Sequence, residues 1–216
     1  MTIQSDRIAS GRAPAPYPPP AGRLDGHCVV IAEGLRTGRA LLLIDFQEDF
    51  LSDSGRMTVA RHQIPGVLAG ARRAIEEARA AGDLIVKIGS EFRKTDVARN
   101  LLRRYAAIAG SEGTRWDSRV AVEAVYLPKW KPDAFCNPLL ASTLDEARIG
   151  SVSVAGLFAV ACVAATSRTA LKRGMAVTLL ADAIACRSDV SRDKALEHLS
   201  VLGAHVRNRP AGHLDD

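Results

Sequence analysis

From Arg39 onward the chain alternates short apolar runs with longer stretches of helical spacing, and this alternation most constrains the fold. An apolar run buried on both faces needs a covering layer on each side, and parallel strands need crossovers that helices supply. ALLLID (40–45) reads as such a strand, and PGVLAGARRAIEEARAAG (65–82), opening on proline and closing on glycine, reads as a helix. Next come LIVKIGS (84–90), a polar connection over 91–119, AVEAVYL (121–127), a helix over 137–150 and SVSVAG (151–156). A helix over 160–174, MAVTLLAD (175–182), a helix over 191–203 and a last strand AHVRN (204–208) complete the series. The pattern predicts an α/β fold, a three-layer α/β/α sandwich around a mostly parallel, Rossmann-like six-stranded sheet.

Residues 1–38 form a proline-rich N-terminal extension, with five of the ten prolines in the first 26 residues, ahead of a single domain over 39–210. The extension lacks the apolar stretch of a secretory signal, and Val152 to Ala165, interrupted by Gly156, is too short to span a bilayer. A cytoplasmic protein without a membrane segment is expected. The four cysteines (Cys28, Cys136, Cys162, Cys186) have no C-x-x-C pair and no histidine at zinc spacing, so free thiols are expected. The net charge of +5 comes from lysine and arginine interleaved with acidic residues, without basic runs threaded with aromatics, and predicts a solvated surface with no nucleic-acid partner.

In an open parallel sheet, ligands bind beyond the carboxyl ends of the strands. Three residues stand there: Asp45 after the first strand, Lys129 after the third and Cys162 at the start of the helix after the fourth. At the first turn of a helix, free N–H groups and the helix dipole favour a thiolate. Each residue also has an ordinary reading: an inert core cysteine, a carboxylate that caps a helix or pairs with an arginine, and a solvated loop lysine with which Lys131 competes.

Four stretches carry a resemblance. ALLLIDFQEDF has an aspartate closing its opening strand, and KWKPDAF a lysine six residues before a phenylalanine. VAGLFAVACV has a glycine six residues before a cysteine, and LLADAIACRS holds Asp182, Ala183 and Ser188. In that order and spacing they resemble the isochorismatase-like cysteine hydrolases. This superfamily includes nicotinamidases, N-carbamoylsarcosine amidohydrolases, ureidoacrylate and biuret hydrolases and streptothricin hydrolase. The resemblance covers about 39–208. It implies catalytic roles for Asp45, Lys129 (over Lys131) and Cys162, with Gln47 as a supporting hydrogen-bonding residue. It also implies an oxyanion site of the Cys162 and Phe158 amides, the latter presented by a cis Leu157–Phe158 peptide, and assembly as a homodimer or homotetramer.

Two departures matter. Nicotinamidases bind a metal through histidines in the region that here reads KIGSEFRKTDVARN, which has none, so no metal and no cofactor are expected. Phe158 replaces a small residue; it either narrows the pocket as an aromatic wall or packs in the core. Isochorismatases proper in the siderophore and phenazine pathways cleave a vinyl ether and lack the nucleophilic cysteine, so retention of Cys162 favours C–N hydrolysis. Substrate recognition falls to the connections, where Gln47, Phe50, Glu91, Arg93, Trp116 and Trp130 are candidates, Arg93 for a substrate carboxylate. The expected function is a metal-independent cysteine hydrolase. It would cleave the amide, ureido or lactam C–N bond of a small molecule through a thioester. The alternatives are a vinyl-ether hydrolase and a catalytically silent scaffold of the same fold.

Overall fold

The computed structural model describes residues 36–208. The expected extension up to residue 35, with His27 and Cys28, and the tail with His213 lie outside the described residues.

Strand β1 (Gly38–Ile44) is buried from Ala40 to Ile44 and lies between β2 (Leu84–Ser90) and β4 (Ile149–Leu157). Such a strand has no solvent face, hence its unbroken Leu–Leu–Leu–Ile run. The sheet is completed by β3 (Val125–Lys129), β5 (Ala176–Ala185) and β6 (His205–Arg207) in the order β3-β2-β1-β4-β5-β6. Every pairing is parallel, so the expectation of a mostly parallel sheet sharpens to a wholly parallel one.

Helix α1 (Glu48–Leu51) is a single turn after β1. Helix α2 (Ile64–Ala80) starts with Pro65 in its first turn and buries Ile64, Val67, Leu68, Ala71, Ala74, Ile75 and Ala78, one continuous helical face. It packs across β1, β4 and β5, where Gly70 lies so close to the Asp182 carbonyl that a side chain would collide with it. Helix α3 (Val97–Leu102) precedes β3, and α4 (Pro138–Glu146) is capped by Asn137, whose side chain accepts from the Leu139 amide at 3.0 Å. Helix α5 (Ala164–Lys172) follows a π turn at Ala159–Val163. Helix α6 (Asp189–Val201) is capped by Ser188, which accepts from the Ser191 amide at 3.2 Å. Helix α2 packs on β1, β2, β4 and β5, while α4 packs on β4, and α5 and α6 pack on β5 and on each other. Among the described residues, no helix is long and apolar enough to cross a membrane.

The structure corrects three readings. The third strand runs over Val125–Lys129, not 121–127, and contains Pro128. Proline is admissible there because β3 is an edge strand, where its missing N–H breaks no ladder. The region 91–119 contains α3, whose Val97, Leu101 and Leu102 face solvent and therefore leave no amphipathic trace. The helix expected over 160–174 begins as the π turn, a form that recurs at functional sites.

Candidate active site

Strand order reverses between β1 and β4, and the carboxyl ends of β3, β2, β1 and β4 stand side by side there. Each end supplies one element of a polar cluster. Asp45 follows β1 with φ 63°, in the left-handed region, its amide bonded to the Ile88 carbonyl at 2.7 Å. That conformation is uncommon outside glycine and turns the carboxylate off the strand line. Ser90 ends β2, and its register partner Lys129 ends β3. Cys162 lies in the π turn after β4.

Asp45, Ser90 and Lys129 are all 1% exposed or less, and Cys162 is 9% exposed. Lys129 Nζ lies 3.0 Å from Asp45 Oδ2 and donates to Cys162 Sγ at 3.2 Å and to Ser90 Oγ at 2.7 Å. Ser90 Oγ donates in turn to Asp45 Oδ1 at 2.9 Å. Ser90 thus joins the carboxylate and the ammonium. The sequence reading missed it; its one signal was a polar residue ending an apolar strand beside the other two. Gln47, fully buried, holds Ser90 at both backbone groups, accepting from its amide at 2.7 Å and donating to its carbonyl at 3.0 Å.

Burial opposes a charge on Lys129, but Asp45 and Cys162 raise its pKa above the ordinary value. The Cys162 thiol is pushed up to about 12 by burial and then by the Asp45 carboxylate, which also accepts its hydrogen bond, against the opposing pull of Lys129. Burial and the Asp45 charge thus outweigh the preference for a thiolate at a helix start. The resting state holds a thiol, an ammonium and a carboxylate able to take the thiol proton.

The Leu157–Phe158 peptide is cis. The Phe158 carbonyl accepts from the Ala161 amide at 3.0 Å and the Val163 amide at 3.3 Å, anchoring the π turn. Its ring, 6% exposed, meets Phe50 edge-on at a centroid separation of 5.4 Å. The core reading of Phe158 thus holds, and Phe50 is a buried core residue rather than a loop contact. Trp116 is also packed, its ring near Phe46 and Tyr126 and its Nε1 donating to the Val120 carbonyl at 2.7 Å. Glu91 accepts from the Tyr126 hydroxyl at 2.8 Å. Arg93 and Trp130 instead line an open cleft of about 370 Å³ with Phe92, Asp96, Arg99 and Lys131. The exposed Lys131 offers its carbonyl to Lys129 Nζ at 3.5 Å and brings no charge to the cluster. Among the described residues, no group of three or more His, Cys, Asp or Glu side chains is placed to hold a metal. Cys136, Cys162 and Cys186 are free thiols.

The profile of the isochorismatase domain matches residues 39–210. Streptothricin hydrolase of Streptomyces noursei is 30% identical over 156 residues, covering 70% of this chain and 56% of that protein. The chain thus spans little more than half the length of this curated relative. Among solved structures, an isochorismatase-like hydrolase from Alkaliphilus metalliredigens superposes with a TM-score of 0.72 at 23% identity, over 78% of this chain and 93% of that one. Nicotinamidase from Bacillus subtilis gives 0.72 at 23% identity, over 79% and 99%. N-carbamoylsarcosine amidase from Thermoplasma acidophilum gives 0.70 at 24% identity, over 81% and 99%. These structures share the fold of this chain, and the domain match, covering most of the chain, places it in the isochorismatase-like hydrolase superfamily.

Proposed function

We propose that the chain is a cysteine hydrolase that cleaves an amide, ureido or lactam C–N bond of a small molecule through a thioester, without a metal. The observation that carries the reading is the buried contact of Lys129 with both Asp45, at 3.0 Å, and Cys162, at 3.2 Å. Burying a carboxylate, an ammonium and a thiol together costs more than an apolar core would, and such clusters of perturbed groups mark chemistry. Amidase and hydrolase relatives support the bond type, and the lack of histidine in KIGSEFRKTDVARN supports the absence of a metal.

As Cys162 Sγ bonds to the carbonyl carbon, its proton passes to Asp45 and the carbonyl oxygen becomes an oxyanion held by the Cys162 and Phe158 amides. Lys129 stabilises the sulfur as negative charge develops on it. Collapse breaks the C–N bond, and Asp45 returns the proton to the leaving nitrogen. Asp45 then takes a proton from water, whose oxygen adds to the thioester; the C–S bond breaks and the proton returns to sulfur. Gln47 and Ser90 act as positioning residues. Assembly as a homodimer or homotetramer and a cytoplasmic location, which the resemblance and the unpaired thiols support, belong to the same proposal; light scattering on the purified chain reads the assembly.

A screen of amides, ureides and cyclic lactams for ammonia or amine release tests the reading, with Cys162→Ala and Asp45→Asn run in parallel. Loss of turnover in both variants is expected. Cleavage of a vinyl ether added to the panel that survives Cys162→Ala and disappears only in Asp45→Asn points to vinyl-ether chemistry, and no turnover of the amides, ureides, lactams or the ether points to a silent scaffold.

A further inference from the structure

Arg56, Arg61, Arg104 and Arg187 line one cleft of about 420 Å³, and Arg187 stands two residues past the end of β5. The rest of the wall is the chain from Gly55 to Ala60, and no aspartate or glutamate lines it. Arg61 alone has a carboxylate near it, the exposed Asp53 at 3.6 Å. Among the described residues, the exposed side chains of Arg104 and Arg187 have no hydrogen-bond or ion-pair partner. Like charges gathered in one concave site repel each other and raise the local concentration of anions.

The walls of the cleft are tied to one another. Asp49, only 5% exposed, accepts from the Arg56 amide at 3.3 Å and from the Ala107 amide at 2.8 Å, so one buried carboxylate holds the segments that carry Arg56 and Arg104. Arg56 Nη1 donates to the carbonyl of Tyr105, the residue after Arg104, at 3.0 Å. The Ala60 amide donates to the Cys186 carbonyl at 2.9 Å, which sets Arg187 beside the segment of Arg61. Gly55 passes so close to Asp49 that a Cβ would lie 2.6 Å from its carbonyl oxygen. The backbone that carries the four arginines is thus fixed before a ligand arrives, which lowers the ordering cost of binding.

We infer that this cleft binds a small molecule bearing two or more linked phosphate groups. A guanidinium pairs with a phosphate through two parallel N–H···O bonds, and four guanidiniums present more donors than one carboxylate can accept. With Asp53 set against Arg61, three of the four remain uncompensated, a charge that a chain of phosphates matches and a single carboxylate does not. None of Asp45, Ser90, Lys129 and Cys162 lines the cleft, so the inference stands apart from the hydrolase reading.

Isothermal titration calorimetry on the full chain tests it, with inorganic pyrophosphate as the probe and acetate as the control, in about 0.15 M salt. Pyrophosphate is expected to saturate a single site per chain, to bind about tenfold or more tighter than acetate, and to weaken as salt rises. The double variant Arg104→Asn, Arg187→Gln is expected to bind pyrophosphate about tenfold or more weaker. Asparagine is chosen at 104 because that residue has φ 54°, a conformation asparagine tolerates. Arg187→Lys is expected to keep part of the affinity. Each single variant is measured as well, so a double variant that fails to fold leaves the comparison intact. Arg79→Gln, which removes the same charge from the last turn of α2, is expected to change nothing. Absence of saturable pyrophosphate binding, an affinity no better than that for acetate, or equal weakening by Arg79→Gln overturns the inference. A single-stranded oligonucleotide that displaces pyrophosphate and binds more tightly assigns the cleft to nucleic acid and overturns it as well.

Discussion

Lys129 Nζ and Asp45 Oδ2 lie 3.0 Å apart, with neither side chain more than 1% exposed. That pair sets the thiol beside it. The Asp45 charge and its hydrogen bond both raise the Cys162 pKa, whereas Lys129 lowers it. Asp45→Asn is therefore predicted to lower the thiol pKa while cutting turnover by about 10²- to 10⁴-fold, because the base is gone. Lys129→Met is predicted to raise the thiol pKa further. Thiolate absorbance in the ultraviolet, taken against Cys162→Ala, reads both; shifts of the same sign in the two variants would contradict this assignment.

Alkaline stability follows from the same shifts. The folded pKa of Lys129 lies above its ordinary value, and that of Cys162 rises from 9.0 to about 12. Between those pH values the folded state holds protons that the unfolded chain releases, so stability falls as pH rises from about 9 toward 12. The Cys162 share over the full shift is on the order of 4 kcal/mol. Cys162→Ala is predicted to flatten this fall, as measured by urea unfolding at stepped pH. Parallel curves for the variant and the native chain would refute it.

Ser90 bridges the acid and the ammonium, accepting from Lys129 at 2.7 Å and donating to Asp45 at 2.9 Å. Ser90→Ala leaves both groups buried with one partner fewer, a loss of about 1–3 kcal/mol. Because Ser90 positions these groups, kcat is predicted to fall about tenfold or more with KM little changed, and Ser90→Thr to restore part of it. A KM effect alone would make Ser90 a substrate contact instead.

Gly156 has φ 155°, and a Cβ there would lie 2.5 Å from the Ile44 carbonyl oxygen. The close approach of β4 to the end of β1 is what leaves Asp45 and the π turn as neighbours across the sheet. Gly156→Ala is predicted to destabilise the domain by about 2 kcal/mol or more and to lower turnover with it. A variant of native stability would show that the two strands separate at no cost.

Much of this site was legible in the sequence for physical reasons. Asp45 and Cys162 each follow a strand and Lys129 ends one, and the apolar run that marks strand 1 is unbroken because both its faces are buried. Strand 3 was misplaced because Pro128 reads as a breaker, and only its position at the sheet edge excuses it. Phe50 and Trp116 look like loop aromatics until the chain folds α1 and the Gln47–Trp116 bridge over them.

The central claim is that Cys162 carries the acyl group. Rapid quenching of a turning-over reaction in acid, followed by intact and peptide mass spectrometry, reads it directly. The predicted result is an acyl mass on the Cys162 peptide that grows within the first turnover, decays as substrate is consumed and is absent from Cys162→Ala. Sustained turnover by Cys162→Ala, or an acyl mass found on Cys136 or Cys186 and not on Cys162, would contradict the account.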